Sequence, residues 1–201
     1  MDSVYLYGAG GHAKVILDIL KSNDIAVSEI FDDNSNIETF MGISVSHAGI
    51  HSPLIISIGN NHIRKVIAEK FDNDVFSPFV CDKSAIISDY VSIEKGTVVM
   101  QGVIIQSSVK IGKHCIINTG VSIDHDCTIQ DYVHIAPRST LCGNVKIGEG
   151  SFIGAGSVVI PNIEIGKWVV IGAGSVVTHD IPDNVVAYGS PCKIIKQIYE
   201  Y

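Results

Sequence analysis

The chain has 201 residues, 46% of them apolar, and a formal net charge of −7. That length supports one large or two small domains with a real core, and the acidic balance argues against nucleic acid or an anionic membrane as the main partner. No stretch approaches the roughly 20 apolar residues of a membrane span, no signal peptide opens the chain, and five cysteines without a C-x-x-C pair point to reduced thiols in the cytoplasm.

Residues 1–80 read as alternating strands and helices. Val4 to Tyr7 is a short buried strand, Gly8-Ala9-Gly10-Gly11-His12 a glycine turn, and Ala13 to Lys21 a helix with Val15, Ile16, Ile19 and Leu20 at helical spacing. A strand from Val27 to Phe31 ends in Asp32-Asp33, and the loop Asn34 to Phe40 is expected to border a ligand pocket. A strand from Leu54 to Ile58 ends in Gly59-Asn60-Asn61. The helix from His62 to about Lys70 is expected to turn Ile63, Val66 and Ile67 inward. This order predicts a small Rossmann-like parallel sheet.

The run Gly8 to Ala13 fits the pattern G-x-G-x-x-A, and Asp32 follows about 20 residues later, where a ribose-binding acid would stand. Glycines let a backbone approach a phosphate at a helix N-terminus. Eighty residues hold half of a dinucleotide fold, which favours a mononucleotide or nucleotide-sugar site over NAD. The competing reading is a glycine turn that merely packs strand against helix.

Residues 81–181 follow another rule. From Ile87, every sixth residue through Ile93, Val99, Ile105, Ile111, Ile117 and Ile123 to Val177 is aliphatic, without a slip. A helix repeats every 3.6 residues and a strand every 2, so a strict period of six calls for a solenoid with one short strand per hexapeptide. Glycines just after the aliphatic positions, such as Gly112, Gly148, Gly154, Gly166 and Gly172, are expected to serve the corners. Pro182 and Pro191 end the pattern, and residues 182–201 form a C-terminal cap or tail, whose stretch Cys192 to Tyr201 is predicted to close the open end as a short helix.

His125, in Ile123-Asp124-His125-Asp126-Cys127, follows the core position by two and points outward between carboxylates, which hold an imidazole in one tautomer and raise its basicity. A second outward histidine, His134, lies half a coil away, so the two can meet only across a groove or a subunit boundary. Their spacing fits no common zinc pattern, and no metal is expected. Cys127 and Cys142 are the covalent alternative, without sequence evidence of thiolate activation.

Together, Gly8 to His12, Asp32-Asp33, Ile58 to Lys65, Asn118-Thr119, Ile123 to Cys127 and Cys142 to Gly148 make a chain that resembles, over nearly its whole length, the bacterial hexapeptide-repeat sugar acyltransferases of the NeuD/PglD family. The resemblance implies a left-handed parallel β-helix, a homotrimer with active sites in the grooves between prisms, and acetyl-CoA as co-substrate. It implies His125 as general base with Asp126 raising its basicity, and Asn118 positioning the acceptor or a water nearby. The described member carries Glu at the position of Asp126, so the shorter side chain must reach further. His134, Gly143, Ala155 and Ala173 match positions that contact acetyl-CoA. Gly10, Gly11, His12, Asp32, Asp33 and Gly59 match the nucleotide-sugar site.

The expected activity is therefore N-acetylation of a UDP-, dTDP- or GDP-linked 4-amino-4,6-dideoxy sugar for surface glycans. The alternatives are O-acetylation of a sugar hydroxyl, as on sialic acid, and a non-catalytic nucleotide-sugar-binding trimer. An NAD oxidoreductase comes last.

Overall fold

The computed structural model describes residues 3–199. β1 (Ser3–Tyr7), α1 (Gly11–Ser22), β2 (Ala26–Phe31), β3 (Thr39–Phe40), β4 (Ile43–Ser46), β5 (Leu54–Ile56) and α2 (Asn61–Ala68) come first. Their sheet has the order β3-β4-β2-β1-β5. It is parallel except for the β3–β4 hairpin, which occupies part of the stretch expected to be a loop. Ala13, Ile16, Ile19 and Leu20 are the buried side of α1.

α2 is turned relative to the expectation. Ile63 is 48% and Val66 43% exposed, while Arg64 is 1% exposed and is buried with Ile67 and Ala68. Periodicity ranked the aliphatics as the inner face. Five hydrogen bonds to the guanidinium reverse that choice.

Seventeen two-residue strands follow, from β6 (Val80–Cys81) to β22 (Val176–Val177), and build a left-handed parallel β-helix. Strands β6 to β19 each pair in parallel with the one a full coil later, as Ile104 does with Ser122 and Ile105 with Ile123. The in-frame aliphatics, together with the small residues two places before them, stack into one continuous core.

The corners are set by torsion. At every sixth residue from Gly96 to Gly174, φ is positive. Glycine, Asn144, Asn162, Asp126 and His114 take this left-handed conformation more readily than most residues; Tyr132, Arg138 and Trp168 do so against their intrinsic preference. Gly112, Gly148, Gly154, Gly166 and Gly172 are not among these turn residues. They answer a different need: at Gly148 a Cβ would stand 2.5 Å from backbone carbon of Gly166 in the next coil, so these sites are glycine for close approach.

The three faces differ in their outward side chains. Val80, Val98 and Ile116 on one face pack against the apolar side of the N-terminal sheet and α1, making this the capped face, which continues through His134, Phe152 and Val170. The second face shows Ile86, Ile104, Ser122, Thr140, Val158 and Val176 and is uncharged. The third shows Ser92, Lys110, Thr128, Lys146 and Glu164 and is charged.

The C-terminal tail is not a helix. β23 (Val185–Gly189) and β24 (Cys192–Gln197) form an antiparallel hairpin that extends the capped face. Residues 200 and 201, at the end of the expected cap, lie outside the described residues, as do 1 and 2.

Candidate active site

His125 stands at the corner between the uncharged and charged faces, after β13 (Ser122–Ile123) and before β14 (Thr128–Ile129). Its ring is exposed, and Nδ1 lies 2.8 Å from Asp126 Oδ2. With Nδ1–H donated to Asp126, the Nε2 lone pair faces outward. The Asp126 hydrogen bond and the charge of Asp124 hold the imidazole above its ordinary pKa. Asp126 occupies a corner torsion, φ 61°, which Asp tolerates better than most residues. The shorter carboxylate reaches the ring.

Gly143 is buried beneath that ring. A Cβ there would meet His125 Cε1 at 2.7 Å and Nε2 at 2.8 Å. Cys142 and Asn144, on either side, donate their N–H groups to Val159 and His125 in the coil-to-coil ladder, whereas the Gly143 N–H lies outside it.

The other expected residues gather elsewhere. Asn118, after β12 (Ile116–Ile117), is at the corner between the capped and uncharged faces, one corner away from His125. Its Oδ1 accepts from Thr119 N at 2.8 Å, which orients Nδ2 toward His134 Nε2 at 3.0 Å. His134 Nε2 is therefore an acceptor and Nδ1 carries the proton. That Nδ1–H is buried and turned toward Gly59 without reaching an acceptor at hydrogen-bond geometry. Burial first, then the positive charge of Arg64, press the His134 pKa down to about 3. His12, whose buried Nε2 also lacks a partner, is pressed to about 4 by the same two causes. The structure thus brings Asn118 to His134, whose ring lies near His12 and Gly59, and not to His125 of the same chain. Ala155 and Ala173 share the Asn118 corner, exposed, two and three coils further on.

In the N-terminal sheet, Gly8 is the packing glycine: its φ is 112°, and a Cβ would meet Ile58 at 2.8 Å. At Gly10, Gly11 and Gly59 no atom lies within 4 Å of an added Cβ, and none has positive φ. Neither packing nor torsion explains these glycines, which leaves space for a ligand against the backbone at the start of α1. Asp32 clamps the turn, Oδ2 accepting from Ala9 N at 2.7 Å. Asp33 accepts from Tyr7 OH at 2.9 Å. Both border a cleft of about 140 Å³ with Tyr7, Phe31, Ser46 and His47.

Cys127 does not look like a nucleophile. Cys127 is fully buried, its thiol pushed up to about 11 by burial, and donates to Cys142 O at 3.2 Å.

The comparisons match this two-part architecture. Residues 3–71 match the PglD N-terminal domain and residues 99–199 the C-terminal domain of GMPPB. The perosamine N-acetyltransferase of Caulobacter crescentus, solved with CoA and GDP-perosamine, is 35% identical and covers 98% of both chains at a TM-score of 0.91. The chain belongs to the NeuD/PglD family of sugar acyltransferases. The acetyltransferase domain of PglB from Neisseria gonorrhoeae, solved with acetyl coenzyme A, is 32% identical over 96% of this chain and 98% of that one, TM-score 0.88. The UDP-N-acetylbacillosamine N-acetyltransferase of Bacillus subtilis is 41% identical over 115 residues, 50% of this chain and 52% of that protein. An uncharacterised mimivirus protein is 37% identical over 48% of this chain and 21% of its own length. The chain thus spans about half of one of these curated relatives and about a fifth of the other. Among the described residues no helix is long and apolar enough to cross a membrane.

Arg64 and the His134–Asn118 pair escaped sequence reasoning. Arg64 had one available signal, a place in the motif Ile58 to Lys65, but a lone arginine on a short helix reads as solvent-facing.

Proposed function

We propose that the protein is an acetyl-CoA-dependent N-acetyltransferase acting on the amino group of a nucleotide-linked 4-amino-4,6-dideoxy sugar in the cytoplasm, and that it works as a homotrimer. The observation that carries this reading is the His125–Asp126 pair over Gly143, on the edge of the one solvent-facing prism face without charge. The whole-length relative solved with CoA and GDP-perosamine supports the substrate class.

The trimer follows from the same face. Ile86 is 65% exposed, and Ile104 and Val158 36% each, on a surface that carries no charged strand residue. Its two bounding corners hold His125 with Gly143 and Asn118 with Ala155 and Ala173. Three prisms packed through this face bring the first corner of one chain against the second corner of the next. The base then meets His134, Asn118 and the nucleotide-sugar loops of a neighbour, joining the two parts of the site that one chain keeps apart.

The acceptor amine attacks the thioester carbon as a neutral nucleophile and sheds its excess proton as the bond forms. His125 Nε2 takes that proton, and Asp126 stabilises the imidazolium. The Gly143 N–H is the candidate donor to the tetrahedral oxyanion. Collapse expels CoA thiolate, which needs little acid assistance. His134, held neutral, keeps its ring between Asn118 and the Gly59 backbone and so braces that edge of the site.

The test is thiol release from acetyl-CoA across UDP-, dTDP- and GDP-linked 4-amino sugars and free sugars including sialic acid. Turnover with a nucleotide amino sugar, lost in His125→Ala, supports the reading. Release with sialic acid alone moves the protein to O-acetylation.

A further inference from the structure

Arg64 enters no step above, yet it is among the most completely buried side chains of the molecule, at 1% exposure. Its Nε donates to His114 O at 2.7 Å. Nη1 donates to Ile58 O at 3.0 Å and Gly59 O at 3.2 Å, and Nη2 to Asn61 Oδ1 and Tyr132 O, both at 2.8 Å. A guanidinium has five N–H groups, and all five are engaged. None of the acceptors is a carboxylate. A cation buried without a counter-charge is unfavourable, and burial lowers its pKa only to about 10, so it stays charged at neutral pH.

The acceptors belong to two parts of the molecule. Ile58, Gly59 and Asn61 form the loop entering α2. His114 and Tyr132 are successive corners between the charged and capped faces, both with positive φ. Asn61, held by Arg64, passes the connection on: its Nδ2 donates to Gly150 O at 2.9 Å and Ser151 O at 3.2 Å. One arginine and one asparagine therefore tie the loop to three consecutive coils. Lys65 adds Glu149 Oε1 at 2.5 Å and lies over the rings of Tyr132 and Trp168. The loop so fixed contains Gly59, the backbone toward which His134 Nδ1 is turned.

We infer that Arg64 is a positioning residue, which fixes the Ile58–Asn61 loop against the prism so that Gly59 keeps its place beside His134, and whose uncompensated charge favours the diphosphate of the acceptor. This rests on the reading of the site as a nucleotide-sugar site. A diphosphate at the start of α1 lies near His12, which already feels the Arg64 charge, and inside the boundary between the two parts that attraction is screened less than at the surface. His125 and Gly143 lie at another corner and are not touched by Arg64.

The experiment compares wild type, Arg64→Lys, Arg64→Gln and Asn61→Ala, with acetyl-CoA and with UDP-, dTDP- and GDP-linked 4-amino-4,6-dideoxy sugars as acceptors. Arg64→Lys keeps the charge but loses the fork; Arg64→Gln loses both. The KM for the acceptor is expected to rise about tenfold in the first and further in the second, while the KM for acetyl-CoA stays within about twofold. Amide exchange at 58–62 should quicken in every variant, with the later coils as protected as in wild type. A merely structural arginine would lower the active fraction and leave both KM values unchanged. That result, an equal rise of both, or unchanged exchange at 58–62 overturns the inference. If the arginine variants do not fold, Asn61→Ala carries the same test with a smaller rise. Silence of the wild type toward every acceptor would sink the functional reading, while the exchange data still decide whether Arg64 fixes the loop.

Discussion

His125 and Asp126 are neighbours in sequence and partners in space, which is why this part of the site was legible beforehand. The raised pKa gives a sign. The base must be unprotonated to work, so the acid limb of the kcat profile should lie above the ordinary histidine value of 6.5. Asp126→Asn should move that limb down and slow the reaction, and a pH–rate series on both proteins checks it. His125→Ala should lose about 10²–10⁴ of the rate, the usual worth of a general base, with unchanged circular dichroism. Cys142→Ala should leave kinetics unchanged; a large loss there would reopen the covalent route. The His134–Asn118 pair and Arg64 were not legible, because their partners come from other coils or from the other side of the domain boundary. Nothing local marks such contacts. The sequence also misdirected the reading of α2, since Ile63 and Val66 have the character of core residues and are half exposed.

At the scale of the element, one hexapeptide predicts the next because each must satisfy the same corner and the same stacked neighbour. The period of six therefore disclosed the prism and the outward position of His125. The glycines needed geometry to sort them: some are turn residues, and others, including Gly143, make room. Gly143→Ala should push the imidazole off its bed, given the 2.7 Å contact, and cost kcat far more than stability. A thermal melt beside the kinetics separates the two. Ile117→Ala, deep in the stacked column, should cost about 2–5 kcal/mol, read by denaturant unfolding, since no neighbouring coil can collapse into the gap without breaking its own register. The hairpin β23–β24 was missed because Pro182 and Pro191 end the hexapeptide pattern without specifying what replaces it.

For the whole molecule, the proposed site divides between the two edges of the uncharged face, so activity should depend on assembly. Val158→Glu places a carboxylate on that face, one coil from its C-terminal end. It should sediment as a folded monomer and lose most of its turnover; a monomer with full activity would overturn the trimeric site. Acid should also weaken the fold. His12 and His114 titrate near 4 and His134 near 3, all below the unfolded value of 6.5. As pH falls from 6.5 toward 4, the unfolded chain takes up protons that the folded chain refuses, so stability falls; above 6.5 these groups contribute no slope. His125 acts in the opposite sense, but its ring is exposed. Melting temperatures from pH 7 to 5 should therefore decline.

The central claim is transfer of an acetyl group to nitrogen, and the product bond reports on it directly. Wild type would be incubated with acetyl-CoA labelled with ¹³C at the acetyl carbonyl and with the three nucleotide-linked 4-amino sugars and sialic acid. The products would be analysed by mass and NMR before and after mild alkali. The account predicts one acetyl group on a nucleotide amino sugar, with the labelled carbonyl correlated to the amide N–H at C4 and stable to alkali. An alkali-labile acetyl ester on a hydroxyl, or labelled sialic acid with the nucleotide amino sugars untouched, would contradict it.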